Sequence, residues 1–188
     1  MTTTAEPTRR EQILAAAAEL FAARGFHGVS VSELGAACGI SGPALYKHFS
    51  SKQAMLAEML VSISEELLAV GRERVTSAPD PAAAVRALVD WHVDFALGHR
   101  PLIIVQDRDW ESLPEEARAQ VRRLQRQYVD LLATQLRLLR PGLGHGAAHA
   151  SAQAAFGLLN STPRAGHAIS DDDLRTLLAE MAVAALGA

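Results

Sequence analysis

An all-α fold of about nine helices is what this 188-residue sequence predicts, on three observations. Apolar residues recur at i, i+3, i+4 and i+7 along nearly the whole chain, the spacing of one face of an α-helix. No stretch sustains the period-two alternation of a half-buried strand. Between the periodic segments stand residues that start and stop helices.

The first helix runs from about Thr8 to Arg24, with Ile13, Ala17, Leu20 and Phe21 on one face and Gly25 placed for a left-handed C-terminal cap. "SVSE" is a capping box in which the Ser30 hydroxyl and the Glu33 carboxylate satisfy each other's amides, opening a short second helix to about Cys38. Gly39 permits a sharp turn, Ile40 can plug the angle between helices, and Ser41 caps a third helix that continues to about Phe49, with Pro43 in its first turn. "SSKQ" reads as a second capping box, from Ser50 to Gln53, and opens a fourth helix to about Thr76. Asp80 caps a fifth helix with Pro81 in its first turn, and Gly98 ends it. A sixth begins near Pro101 and carries "LIIV". Ser112, Pro114 and Glu115 form the start signal of a long seventh helix, whose apolar stripe is Ala117, Val121, Leu124, Tyr128, Leu131, Leu132, Leu138 and Leu139. "RPGLGHG" breaks it; an Ala- and Gly-dense eighth helix spans about Ala147 to Asn160, and "SDDD" starts a ninth that ends near Leu186.

With 49% apolar and 21% charged residues the composition is that of a globular protein. Nothing approaches the ~18 consecutive apolar residues of a membrane span, and the N-terminus lacks the apolar core of a signal peptide, so a cytoplasmic protein is expected. A lone cysteine, Cys38, allows neither an intrachain disulfide nor a cysteine zinc cluster. The net charge of −3 is unevenly spread: residues 1–56 hold five basic and four acidic side chains, the remainder thirteen and seventeen. Only the first third is compatible with an anionic partner, and both lysines, Lys47 and Lys52, lie in it.

Two short helices joined through Gly39, the second opening on a serine, describe a helix-turn-helix, whose second helix enters the DNA major groove. Within "LYKHF", Leu45 and Phe49 share one face as anchors while Tyr46, Lys47 and His48 point elsewhere. Lys52 adds a cation at the start of the fourth helix, where backbone amides favour a phosphate.

Residues 8–56, "TRREQILAAAAELFAARGFHGVSVSELGAACGISGPALYKHFSSKQAML", resemble the DNA-binding domain of the TetR family of bacterial regulators over about a quarter of the chain, without a gap. The resemblance implies an all-helical homodimer that binds a near-palindromic operator and releases it when a small molecule occupies the larger domain. It divides the chain into a DNA-binding domain at residues 1–52, with 1–7 flexible, and an effector-binding and dimerisation domain at 53–188. Ser30, Val31 and Ser32 match residues that approach the DNA backbone. Ser41, Gly42, Pro43, Ala44, Tyr46, Lys47 and His48 match the recognition helix, and Lys52 matches the family's phosphate-binding lysine. Lys52, Tyr46 and the serine hydroxyls then position the protein on phosphates, whereas Lys47 is the candidate guanine reader and Ala44 or Pro43 can meet a thymine methyl.

By the same resemblance, the fifth to eighth helices surround an effector cavity lined by Trp91, His92, Phe95, Ile103, Trp110, Leu124, Tyr128, Phe156 and Asn160. His92 stands out, because an imidazole between Leu88 and Phe95 on an apolar face needs a hydrogen-bond partner in the core or a ligand. Mostly apolar walls favour an aromatic or acyl effector. The last two helices are the implied dimer interface: Ala148, Ala152 and Ala155 allow close approach, while Leu174, Leu177, Leu178 and Met181 supply buried area.

No cofactor or metal is expected. Cys38 reads as a small core residue, "GLGHG" as a turn because it follows a helix, and Arg118, Arg122, Arg123 and Arg126 as a solvated face. His145 and His149 have metal-ligand spacing but no third ligand. Activation instead of repression, or regulation without an effector, fits the same residues. An enzyme using His92, Asp94, Asp107 or Asp109 finds no nucleophile motif, metal box or nucleotide loop in support, so the protein is read as a non-enzyme.

Overall fold

Capping chemistry sets most of the helix starts in the computed structural model, which describes residues 8–165 and 169–188. The chain forms ten α-helices and one 3-10 turn, with no strand among the described residues. Residues 1–7, expected to be flexible, lie outside the described residues.

Helix α1 (Arg9–Arg24) opens on a Thr8–Glu11 capping box and stops at Gly25, which has the positive φ expected, 81°, but at 153° a ψ outside the left-handed helical region. Helix α2 (Val31–Ala37) has the Ser30–Glu33 box. Helix α3 (Gly42–Leu45) is capped by Ser41 and shorter than its sequence pattern suggests; from Tyr46 to Phe49 the chain continues in tighter turns, with Tyr46 N donating to Pro43 O and Lys47 N to Ala44 O. Helix α4 (Lys52–Ser77) is capped by Ser51, not Ser50, because the Ser51 hydroxyl is the one that accepts from Ala54 N, at 2.9 Å.

Asp80 caps α5 (Pro81–Gly98) as expected. Helix α6 (Arg100–Asp109) leads through the 3-10 turn (Trp110–Ser112) to α7 (Glu115–Leu139). The start signal there is not a capping box: Pro114 holds the cap position and Ser112 belongs to the preceding turn. Helix α8 is His145–Leu159 and α10 is Asp171–Leu186, capped by Ser170. Between them lies a short α9 (Thr162–Ala165) that the sequence does not suggest, since Ser161, Thr162 and Pro163 read as loop chemistry; the buried Thr162 hydroxyl ties it to Ala96 O at 2.9 Å.

Two hydrophobic cores result, and α4 serves both. The first gathers α1, α2, the Leu45 and Phe49 anchors, and Met55, Leu56, Met59 and Leu60 of α4. Val105, Leu113, Ala117 and Val121, from α6 through α7, complete it. The second holds Leu68 of α4 with buried side chains of α5, α7, α8 and α10. Val61 packs against both. Packing therefore changes hands inside α4, past the residue 52/53 boundary drawn from sequence. The α7 stripe is buried or half-buried except for Leu138, which points to solvent.

At Gly71, α4 touches the Tyr128 ring so closely that an added Cβ would lie 2.5 Å from Cε2. Tyr128 is 3% exposed and its ring is stacked on His92 and Phe156, so yielding would disturb that stack. Gly71→Ala is expected to cost roughly 1–3 kcal/mol of stability by overpacking, read as a lower urea midpoint.

Candidate nucleic-acid interface and ligand cavity

Helices α2 and α3 meet at a point that only glycine allows: a Cβ on Gly35 would stand 2.8 Å from Ile40 O and 2.9 Å from Gly42 N. Gly39, at φ 66°, makes the turn between them. This approach brings α3's start against α2's start, so that a Cβ on Gly42 would sit 3.5 Å from Ser32 Cα. Ser30, Ser32, Ser41, Pro43, Tyr46 and Lys47 are exposed, whereas Val31, Gly42, Ala44 and His48 are half-buried. Leu45 and Phe49 are 3% and 4% exposed and hold α3 to the core, leaving Tyr46, 55% exposed, and Lys47 free to meet a partner.

Lys52 has a structural task. Its ammonium donates to Phe26 O at 2.7 Å and Val29 O at 2.8 Å and lies 4.3 Å from the Phe26 ring centre. Two of its three N–H donors are thus occupied at the loop that ends in the Ser30 cap, and one is left. Arg9 donates to Cys38 O. Arg10 donates to His48 O, pairs with Glu58 of α4 and stacks over Phe49 at 4.2 Å. From the start of α1 the two arginines thus clasp the end of α2, the segment after α3, and α4. Ser30 bonds and Arg24, at 2.7 Å, hold the Glu33 carboxyl down at about 2, so the α2 cap keeps its charge. Burial pushes the Cys38 thiol up, in keeping with a packing role.

The second site is a cavity of about 530 Å³ walled by α4 to α8. His92, Phe95, Ile103, Tyr128, Phe156 and Asn160 line it, as the sequence suggested. Trp91, Trp110 and Leu124 do not. Trp91 turns its indole to Leu67 O at 3.1 Å, Trp110 packs on the first core under Arg122, and Leu124 lies within the second. Ile63, Leu67, Leu102 and Val129 add apolar wall, while Arg122, Gln125, Arg126, His149 and Gln153 add a polar side that composition alone did not reveal. Arg122, Gln125 and Val129 recur at helical spacing beside the Tyr128 stripe, the one signal that could have placed them inward. Arg118 is tied to Glu111 at 2.6 Å and Glu115 at 2.8 Å, and Arg122, although it lines the cavity, is tied to Glu115 as well, at 2.7 Å.

Three rings form one end of the cavity. His92 stacks on Phe156 at 4.5 Å and on Tyr128 at 5.6 Å, and Tyr128 on Phe156 at 4.8 Å. His92 Nε2 and Asn160 Oδ1 are 3.0 Å apart, so the core partner expected for this histidine exists. His92 Nδ1 and Tyr128 Oη are buried without a hydrogen bond among the described residues. His149 pairs with Asp130 at 2.8 Å and stacks on His145 at 5.7 Å. Asp94 is tied to Arg175 at 2.5 Å, Asp107 to Arg164 at 3.5 Å and Asp109 to Arg108 at 3.1 Å, so the three carboxylates converge on no common centre.

Of the residues assigned to a dimer interface, Ala148, Ala152, Ala155, Leu174 and Leu178 are buried within the protomer itself, facing α5 and α7 or each other. Leu177 and Met181, each 46% exposed, are the large apolar side chains left on the outer face of α10. Ala147, Ala150, Ala154 and Gly157 form the small-residue outer face of α8. No helix among the described residues is long and apolar enough to cross a membrane.

Residues 13–59 match the sequence model of "Bacterial regulatory proteins, tetR family", and residues 78–164 that of "Tetracyclin repressor-like, C-terminal domain". Among curated proteins, the chain is 33% identical over 118 residues to the HTH-type transcriptional activator FasR of Mycolicibacterium smegmatis, covering 61% of this chain and 52% of that one. It is 36% identical over 106 residues to the HTH-type transcriptional repressor KstR2 of Rhodococcus jostii, covering 56% and 52%. The chain thus spans about half the length of the curated relatives it matches. A TetR-family transcriptional regulator from Bordetella parapertussis superposes with a TM-score of 0.82 at 26% identity over 92% of this chain and 93% of that one. AibR, solved with isovaleryl coenzyme A and operator DNA, superposes at 0.72 with 23% identity over 93% and 97%. FadR of Bacillus subtilis, solved with stearoyl-CoA, superposes at 0.72 with 18% identity over the same shares.

Burial draws His92 from 6.5 down to about 4, against the opposing pull of Asn160. Between those values the unfolded chain binds a proton that the folded chain refuses, so stability is present above about 6.5 and lost as the pH falls. The loss is expected to be on the order of 3 kcal/mol by pH 4, and urea titrations of His92→Gln should lack that slope.

Proposed function

The chain belongs to the TetR family of bacterial regulatory proteins, and on that premise we propose that it is a cytoplasmic DNA-binding transcriptional repressor that acts as a homodimer and is released by a small molecule. The observation that carries this reading is the sharing of α4: one helix packs the α2–α3 head at its start and walls the ligand cavity further on.

On DNA, Ser30, Val31, Ser32 and Ser41, the remaining Lys52 donor and Tyr46 meet phosphates. Lys47 and His48 reach base edges, and Gly42, Pro43 and Ala44 permit the close approach of α3. Dimerisation uses the outer faces of α8 and α10, centred on Leu177 and Met181, with a second copy supplying the same faces about a twofold axis. Such an axis sets two α3 helices one DNA turn apart, which fits a near-palindromic site.

The effector is amphipathic. Apolar side chains of α4, α5 and α6 suit an acyl or aromatic body, and the Arg122 and Arg126 side suits an anionic head. The complexes of AibR with isovaleryl coenzyme A and of FadR with stearoyl-CoA support an acyl thioester in particular. Ligand binding favours a cavity shape that repositions α4, so that the two α3 helices no longer match both half-sites. The matched relatives include an activator as well as a repressor, which makes the sign of regulation a separate question. A reporter driven by the promoter that the protein occupies, read with and without ligand, answers it.

Fluorescence anisotropy with fragments of the adjoining upstream DNA tests the core of the reading; equal affinity for every fragment at low salt would refute it. Lys47→Ala should weaken operator binding by about 1–3 kcal/mol and relax specificity at the base it reads. Lys52→Ala should weaken binding to all sequences about equally, lower the salt slope by about one and also lower the melting temperature, because Phe26 O and Val29 O lose their donor. Met181→Glu together with Leu177→Glu should shift sedimentation to the monomer and abolish operator binding while leaving helix content intact.

A further inference from the structure

Beside the first cavity lies another of about 550 Å³, and the two share a wall. Ile63 of α4 and Leu102 of α6 line both. On the far side of that pair the apolar walls belong to different parts of the molecule, Leu14, Ala15 and Ala18 of α1, Met59 of α4 and Pro101 at the start of α6, beside a charged side made by Arg10, Glu11, Glu19, Glu58 and Glu66. Leu14 and Ala18 pack in the core that carries the α2–α3 head. Polar residues of α7 and α8 sit at the other end of the first cavity.

A ligand held by its anionic head near Arg126 would therefore run its apolar chain toward Ile63 and Leu102. Ile63 and Leu102 are the two residues that both cavities share. Leu102 is half-buried and free to change rotamer, since it stands at the edge of the first core, with space on both sides. Past it, a chain would insert between α1 and α4, the two helices that fix the position of the DNA-binding head.

From this shared wall we infer that the Ile63–Leu102 pair is a length gate: short acyl chains fill the first cavity without disturbing the head, and only chains long enough to pass the pair reach α1 and trigger release. The inference rests on the acyl reading of the effector given above. Binding and release then respond differently to chain length. Affinity rises by about fourfold per methylene while the chain lengthens within apolar walls. Release does not follow that slope. It begins at the length that passes the gate, because the differential contact that favours the released state first exists there.

The experiment uses the full-length dimer and a straight-chain series of acyl coenzyme A thioesters from butyryl to stearoyl. Calorimetry or thermal shift reads binding, and anisotropy of operator DNA reads release. A release threshold inside the series, with shorter members that bind but do not release, supports the gate. Leu102→Ala should move that threshold to shorter chains, and Leu102→Trp to longer chains or out of the series; Ile63→Val, a milder change, should move it in the same direction as Leu102→Ala. Release that tracks binding at every length, or a threshold that none of these substitutions moves, overturns the gate and leaves an acyl effector standing. If no thioester of any length binds, the acyl reading falls and the gate with it.

Discussion

One helix has to satisfy two cores. Met55, Leu56, Met59 and Leu60 of α4 are committed to the N-terminal head, Leu68 and Gly71 to the bundle formed with α5 and α7, and Val61 to both. Across 26 residues α4 spans about 39 Å, so it carries displacement from one end to the other as a rigid rod. The head cannot be cut away from this arrangement as an independent unit, because Val105, Leu113, Ala117 and Val121 close its core from the other side. Close packing makes such shared interfaces switch between discrete fits instead of deforming smoothly.

Arg108 reinforces the same connection from α6. Its guanidinium donates to Phe21 O and Ala22 O at the end of α1 and is braced by the buried Asp109. Ala22 O is among the last carbonyls of α1, which have no amide partner within the helix, whereas Phe21 O also accepts from Gly25 N at 2.7 Å. Helix α6 therefore contacts the head through a charged tie and an apolar plug, Val105, while its other face lines the ligand cavity through Ile103 and Gln106.

Much of this was legible because the relevant rules are local. The Ser30, Ser41 and Asp80 caps, the Gly39 turn and the Leu45–Phe49 anchors follow from spacing and side-chain chemistry over four residues. His92 was legible as an imidazole on an apolar face, though its partner, Asn160, stands 68 residues away. What escaped was long-range or depended on which of two polar faces turns inward. Arg122 and Arg126 read as solvated arginines and are exposed, yet they also line the cavity, and Ala148, Ala152 and Ala155 of α8 are buried inside the protomer. Small residues say that something approaches closely, but not whether it belongs to the same chain. The Ser50 and Ser112 cap assignments failed for a simpler reason, since adjacent serines and a nearby proline offer competing starts and tertiary packing selects between them.

Finally, the positive charges of the head are mostly spent inward. Arg9, Arg10 and Lys52 give their donors to Cys38, His48, Phe26 and Val29 carbonyls, and Arg24 is neutralised by Glu33. Bonds to neutral carbonyls leave Arg9 and Lys52 charged but hold them in place, so they would attract a polyanion from a distance while direct contact would fall to Lys47, the remaining Lys52 N–H, hydroxyls and main-chain amides.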